Sequence, residues 1–355
     1  MPYPLINMQG TLSNPNVALE AARLGAPDHL DTGLAARIDA RALAQARQSG
    51  LAAINVTVGY VAGPQDPRTA TLDDIRAWDA FVAAHSDDLL KVACVNDIVK
   101  AQASRCVGVI YGFQNSEMFG DRVASVADYA GLGVRIMQLS YNGRNRVADG
   151  CAVADDRGLS PFGHQVMAQM QAQRVLVDLS HSSWKTCLDA LCAATAPLAI
   201  THTACRELAN LARNKSDAEL RLLAQSGGVV GIYCMPFLRE QGQPMASDLV
   251  RHIEHAIHVC GEDHVGFGSD GSVVAVDDLD NYLRFLNEDL AQRKQAGIGA
   301  AGENEAVALF LPDLCGPTQF AALADLLQRR GHSSARVEKI MGGNFLRLLR
   351  EVWGG

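Results

Sequence analysis

The chain has 355 residues, of which 48% are hydrophobic, and it carries a formal net charge of −8 at pH 7. The apolar content is enough for the core of one barrel-sized domain, and the negative charge argues against nucleic acid and anionic membranes as partners. No apolar run reaches the roughly 18 residues that a membrane helix needs, and no signal peptide is visible at the N-terminus. The nine cysteines form no C-x-x-C pair, so we expect reduced, buried thiols in a cytoplasmic protein.

Eight short apolar runs predict buried strands along the chain. In chain order they are Pro4–Gln9, Ala52–Tyr60, Cys106–Gln114, Gly133–Asn142, Arg174–His181, Pro197–His202, Gly228–Met235 and His264–Asp270. Helical periodicity fills most gaps, at Leu34–Gln48, Thr71–Ala84, Gly163–Gln173, Trp184–Ala194, Asp217–Gln225 and Ala246–Cys260. Strands alternating with helices predict parallel pairing, and eight strands favour closure. The sequence therefore predicts an α/β fold, a (β/α)8 TIM-like barrel.

The region after the last strand, 277–355, has mostly helical patterns and is expected to cover the barrel. A glycine-rich stretch inside it, Gly297–Gly302, predicts a flexible loop. No repeat, low-complexity tract or linker divides the chain, so we predict one domain over 1–355. His252, His255 and His258 recur at spacing three with Glu254 nearby; this pattern resembles a metal-binding helix, but we interpret it as a partly exposed helix face.

Polar residues end most of the predicted strands. Gln114 ends the third strand. Tyr141 and Asn142 end the fourth, and Arg144 follows them. His181 ends the fifth strand, His202 the sixth and Asp270 the eighth. The carboxyl ends of barrel strands form the catalytic face. Two histidines and an aspartate meeting there indicate a metal-assisted hydrolytic site. The alternative is core histidines satisfied by backbone carbonyls, with Asp270 as a loop or cap carboxylate.

Seven segments of the chain resemble the renal (membrane) dipeptidases, peptidase family M19 of the amidohydrolase superfamily. They are Gly133–Asn142, Gly158–Gly163, Val177–Ser182, Thr201–Ala204, Arg213–Asn214, Gly266–Asp270 and Gly343–Arg347. They follow the family's order over almost the whole length, and the Asp-Leu-Ser-His and Gly-Ser-Asp motifs are the most specific. The resemblance implies a (β/α)8 barrel with two zinc ions, a small-molecule substrate that bears a carboxylate, and a homodimer.

The sequence departs from the family pattern at the residues that would bind the first metal. Gln9-Gly-Thr11 stands where the family has His-x-Asp, and Gln114 stands where it has a bridging glutamate. Tyr141 replaces a substrate-binding histidine. Neutral glutamine cannot replace an anionic carboxylate between two divalent cations. We therefore expect at most one zinc per chain, and the alternative is no metal at all.

His181, His202, Asp270 and Arg213 survive from the family pattern, and these residues together with those at the neighbouring strand ends suggest the roles in the site. His181 and His202, completed by Asp270, Gln114 or water, would hold the metal. Arg213 would hold the substrate carboxylate, with Tyr141, Asn142 and Arg144 also contacting substrate. Asp270 would move the proton and Tyr141 would stabilise the oxyanion.

The predicted function is thus hydrolysis of an amide bond in a small, dipeptide-like or N-acyl amino-acid substrate. The alternatives are a lyase or isomerase acting on a related small acid, and an inactive dipeptidase homologue that only binds small molecules. For Arg213, the alternative to binding the substrate carboxylate is an ordinary surface arginine that pairs with Asp217.

Overall fold

A computed structural model describes residues 3–23, 34–295 and 307–354; the predicted loop Gly297–Gly302 lies outside them. The strands in this part are β1 (Leu5–Gly10), β2 (Leu51–Thr57), β3 (Leu89–Val92), β4 (Val107–Phe113), β5 (Val134–Gln138), β6 (Leu176–Asp178), β7 (Ala199–Thr203), β8 (Val229–Ile232) and β9 (Val265–Phe267). The α-helices are α1 (Pro15–Arg23), α2 (Leu34–Arg37), α3 (Ala40–Gln48), α4 (Pro67–Ala84), α5 (Val95–Ser104), α6 (Ser125–Gly131), α7 (Pro161–Ala172), α8 (Trp184–Ala193), α9 (Asp217–Gln225), α10 (Ala246–Cys260), α11 (Leu279–Gln295), α12 (Gln319–Arg329), α13 (Ser334–Glu338) and α14 (Asn344–Trp353). Within the described ranges, no helix is both long enough and apolar enough to cross a bilayer.

Eight parallel strands form the wall of a nearly closed barrel, in the order β1-β2-β4-β5-β6-β7-β8-β9. Its two ends are joined by side chains and by loop backbone. Asn7 Nδ2 donates to Ser269 Oγ over 2.8 Å, and the Asp270 N–H donates to the Gln9 carbonyl over 2.9 Å. The eight predicted strands and the (β/α)8 TIM-like fold are therefore confirmed.

Two local expectations differ from the structure. The strand β3 was not predicted; its four residues pair only with β4, outside the barrel wall. The predicted helix Leu34–Gln48 is broken into α2 and α3, because Asp39 takes an extended conformation between them and its side chain accepts from the Ala42 N–H. An N-cap carboxylate of this kind begins a new helix.

The helix α14 covers the amino end of the barrel. Its buried face, including Phe345 and Leu349, packs in one apolar cluster with Ile6 and Met8 of β1 and with the first residues of several other strands. One end of the barrel is thus filled by apolar side chains, and the polar strand ends lie at the opposite, carboxyl end.

The face of α10 that carries the three histidines is partly exposed, in agreement with our interpretation. His252 is 2% exposed, while His258 faces solvent. The backbone N–H of Cys205 donates to His252 Nδ1, and His252 Nε2 donates to the Leu238 carbonyl, each over 3.0 Å. The imidazole is therefore held neutral, and burial lowers the pKa of His252 to about 4.

This buried histidine predicts a stability change with pH. A histidine whose pKa is lower in the folded than in the unfolded chain stabilises the fold above pH 6.5, and this stabilisation is lost as the pH falls toward 4. For His252 we expect a loss of about 2 kcal/mol of unfolding free energy between about pH 7 and pH 5. Urea unfolding at both pH values should show a smaller pH dependence in His252→Gln than in the parent chain. The exposed His258→Gln variant should keep the parent dependence; equal slopes in all three proteins would contradict this prediction.

Candidate active site

The carboxyl ends of the strands surround a cavity of about 370 Å³. Among the residues that line it are Gln9 near the end of β1, Gln114 after β4, Tyr141 after β5, Asp270 after β9 and Arg293 of α11. The first four were predicted from the strand ends. Arg293 was not, since it lies on a helix with no recognised motif.

The two histidines lie together at this end of the barrel and are almost fully buried. His181 Nε2 and His202 Nε2 are 3.0 Å apart, and the two ring centroids are 5.0 Å apart. Burial and the nearby Arg213 charge lower the pKa of both imidazoles well below 6.5, so both are neutral near pH 7. The prediction that β6 and β7 bring these residues together agrees with this geometry.

The partners of the other ring nitrogens indicate the tautomers. His181 Nδ1 lies 2.7 Å from Asn142 Oδ1, which can only accept. His202 Nδ1 lies 2.8 Å from Thr201 Oγ1, whose own proton goes to Asp178 Oδ2 over 2.6 Å. Both Nδ1 atoms therefore carry the proton, and both Nε2 atoms present a lone pair toward the same point. Histidines that bind metals are oriented by outer partners in this way.

Arg213 is a buried residue, not a surface one. Its side chain is 2% exposed and donates to the carbonyls of Ser180 and His202. The guanidinium Nη2 also donates to His181 Nε2 over 3.1 Å. Asp217, the surface partner considered above, instead pairs with Arg221 and His255. Since Arg213 uses the lone pair of His181, a metal ion and this guanidinium compete for the same atom.

Asp270 occupies a strained position beside the histidines. Its φ is +55°, a left-handed conformation that few residues other than glycine adopt and that is often found at functional sites. The carboxylate Oδ2 lies 4.0 Å from His202 Nε2. Burial raises the pKa of Asp270 to about 6, although Arg213, Arg293 and a hydrogen bond from Gln114 each act to lower it.

The positions where the resemblance implied ligands of a first metal carry the neutral amides Gln9 and Gln114, which hydrogen-bond nearby side chains. Gln9 Nε2 donates to Thr57 Oγ1 over 2.9 Å, and Gln9 Oε1 accepts from Asn55 over 2.8 Å. Gln114 donates to Asp270. These amides offer no anionic charge to a second cation, so the residues present fit one metal ion on His181 and His202 and do not fit two.

Tyr141 lies over the imidazole of His181, with ring centroids 4.1 Å apart and nearly parallel planes. Burial raises the pKa of its phenol, so the hydroxyl keeps its proton near neutral pH. Arg293 donates a hydrogen bond to that hydroxyl and contributes positive charge to the surroundings of Asp270.

The remaining predicted residues lie farther from the cavity. Asn142 is buried behind His181, where it orients the ring. Arg144 donates to both carboxylate oxygens of Asp149 and lines a neighbouring cavity of about 410 Å³ that Tyr141 also borders.

In the ranges described above, one group of three carboxylate, imidazole or thiol ligand atoms lies within 4.8 Å of one another: Glu207, Asp217 and His255. This group does not include the paired histidines. It belongs to the surface ion pairs around Asp217, and nothing else in its surroundings indicates a ligand.

Comparisons with known proteins identify a family that matches most of the chain. The family model for membrane dipeptidase (peptidase family M19) matches residues 29–297. The chain is 27% identical over 331 residues to the dipeptidase tcpJ of Claviceps purpurea, covering 90% of this chain and 70% of that one. It is 33% identical over 208 residues to an uncharacterized dipeptidase of Schizosaccharomyces pombe, covering 56% of this chain and half of the relative. The structure of an amidohydrolase from Pseudomonas aeruginosa is similar over 100% of this chain and 98% of that one, with 28% identity and a TM-score of 0.82.

Proposed function

This chain belongs to the membrane dipeptidases, peptidase family M19, and from that membership we propose that it is a metal-dependent hydrolase of an amide bond in a small substrate that bears a carboxylate. The observation that carries the proposal is the pair of Nε2 lone pairs, on His181 and His202, that face one point beside Asp270. A neutral imidazole pair next to a carboxylate is a known set of ligands for a catalytic metal.

The chain's own residues supply orientation and proton transfer. Arg213 would hold the substrate carboxylate once its Nη2 leaves His181 Nε2, because a guanidinium and a carboxylate form two parallel hydrogen bonds. Asp270 accepts the proton of the attacking water and returns it to the leaving amine. The protonated hydroxyl of Tyr141 donates to the oxyanion of the tetrahedral intermediate.

One metal ion per chain, zinc in our proposal, would be held by His181 and His202. When bound, it supplies Lewis-acid polarisation of the scissile carbonyl. The neutral network around Gln9 and Gln114 supports a single ion, and the Arg213 contact to His181 supports modest affinity.

Metal analysis together with a hydrolysis screen tests the proposal. Protein purified without chelator and dialysed against zinc should hold about one equivalent per chain. It should hydrolyse some members of a panel of dipeptides and N-acyl amino acids, and chelator should remove both metal and activity. Two equivalents per chain would contradict the single site.

A second candidate is a small-molecule-binding homologue without hydrolytic activity. The contact between Arg213 and His181 favours it, because an arginine bound to this lone pair keeps the site closed to metal. No metal and no turnover, with retained binding of small carboxylates, would favour this second function over the first.

A further inference from the structure

A second cavity, of about 410 Å³, lies beside the active-site cavity, and the proposed mechanism gives it no role. The two cavities share Tyr141 as a wall residue. They also share one strand end, since Gln114 lines the first cavity and the next residue, Asn115, lines the second. A substrate bound beside Tyr141 therefore lies next to a further space that can hold an amino-acid side chain.

Hydrogen bonds within the wall of this second cavity use several of its neutral polar groups. Asn115 Nδ2 donates to the Val61 carbonyl over 2.7 Å, and Asn115 Oδ1 accepts from Asn145 Nδ2 over 2.9 Å. The Tyr60 hydroxyl donates to the Gly63 carbonyl over 2.8 Å. The loop that follows β2 is thus tied to the loop that follows β4, and these bonds fix the shape of the cavity.

Glu117 is the carboxylate in this wall, among the residues that the structure describes. It is an exposed residue. Loss of water contacts raises its pKa and a hydrogen bond with the Tyr60 hydroxyl lowers it, and neither influence is a cation. The hydroxyl has one proton, for which the Gly63 carbonyl competes. Most lone pairs of the carboxylate therefore remain available to a ligand.

The arginine in the same wall is already neutralised by another carboxylate. Arg144 Nε and Nη2 donate to the two carboxylate oxygens of Asp149, whose side chain is 3% exposed. The charges that raise the pKa of Arg144 belong to aspartates and not to Glu117. Arg144 therefore does not compensate the negative charge of Glu117, and a positive group of a ligand would stabilise that charge.

We propose that the Glu117 carboxylate binds the ammonium of a basic side chain, so that the chain prefers substrates that contain a lysine-like residue. This inference rests on the proposed function, since it names the substrate class of the same site. The α-amino group of a dipeptide lies next to the scissile carbonyl and so stays in the active-site cavity. A lysine carries its ammonium on a flexible four-carbon stem, which allows the charge to enter the second cavity while the peptide bond stays in the first.

L-Lysine and L-6-hydroxynorleucine isolate this charge. Both are free amino acids, so neither can be hydrolysed, and their side chains differ only in ending on an ammonium or on a neutral hydroxyl. We expect the parent chain to bind lysine about threefold to tenfold more tightly in titration calorimetry, since a partly exposed ion pair stabilises less than a buried one. Glu117→Gln should remove most of that preference and leave the affinity for hydroxynorleucine nearly unchanged.

Three control variants separate the charge of Glu117 from its contact with the loop. Glu117→Asp keeps the charge and should retain part of the preference. Tyr60→Phe removes the hydroxyl bonded to Glu117 and should retain the preference. Asp121→Asn removes an exposed carboxylate outside the wall and should leave the preference intact.

Several results would overturn the assignment of Glu117. Equal affinity of the parent chain for the two amino acids, or no binding of either, is one. A preference that survives Glu117→Gln would place the ammonium elsewhere. Equal losses in Glu117→Gln and Tyr60→Phe would show that Glu117 only holds the loop.

Binding is the readout, so failure of hydrolysis leaves this test intact. A chain that prefers lysine through Glu117 but neither holds metal nor hydrolyses the panel would refute the proposed hydrolase and still support the Glu117 site. A chain that hydrolyses the panel but binds both amino acids equally would refute the Glu117 site alone.

Discussion

Replacing Asp270 by asparagine should lower kcat by about 100-fold to 10,000-fold, the range expected for loss of a general base. The measurement uses the substrate of the panel that the parent chain hydrolyses fastest. Asparagine keeps the shape of the side chain but cannot accept the proton of water. It also tolerates the left-handed backbone better than most residues, and Asp270 has a φ of +55°.

In the Asp270→Asn variant, the effect on folding stability and the effect on catalysis can be measured separately. We expect Asp270→Asn to unfold in urea at no lower concentration than the parent chain, because the substitution removes a buried carboxylate whose charged form is disfavoured by burial. Asp73→Asn, at an exposed position on α4, controls for handling and should retain full activity. An Asp270→Asn enzyme with parent kcat would show that the proton is accepted elsewhere.

The sequence predicts the barrel because each buried strand carries its own signal. Val177-Asp-Leu-Ser-His181 and Leu198-Ala-Ile-Thr-His202 are apolar runs that end in a polar residue, and both lie where the ladder ends in the structure. The strand β3 gives a weaker signal, since its four residues include Lys91 and pair with one neighbour only. A short edge strand depends on tertiary pairing more than on local pattern.

The site was predictable where a side chain follows a strand and not where packing alone places it. His202 lies near the carboxyl end of β7, and His181 and Asp270 follow β6 and β9, so topology brings them together. Arg293 lies on a helix without a catalytic motif, and only the docking of α11 over the cavity brings it to Tyr141. No pattern within the helix indicates that contact.

The hydrogen bonds that orient the histidine rings were predictable from the sequence only in part. Asp178 is part of the Asp-Leu-Ser-His pattern, but its role emerges only from its bonds to the hydroxyls of Ser180 and Thr201. The Thr201 hydroxyl in turn orients His202. A sequence shows which groups are available, while the direction of each proton requires the three-dimensional network.

Replacing His202 by asparagine should abolish tight metal binding and lower kcat/KM by at least about 1000-fold, since several kcal/mol of charge stabilisation would be lost. His181→Asn should have the same effect, because the two Nε2 atoms face one point 3.0 Å apart. Zinc titration of the apoprotein with a competing chelator measures the first effect, and steady-state hydrolysis of the best panel substrate measures the second.

Two further variants, with a smaller and with no expected loss of zinc affinity, test this prediction. Thr201→Val keeps the side-chain shape and removes the hydroxyl that orients His202, so zinc affinity should fall by about 10-fold to 100-fold, as for other outer partners of metal ligands. His258→Asn changes an exposed histidine on α10 and should leave affinity unchanged. Equal zinc affinity in His202→Asn and the parent chain would mean that the bound ion lies elsewhere; the carboxylates of Glu207 and Asp217 with His255 would then be the first place to test.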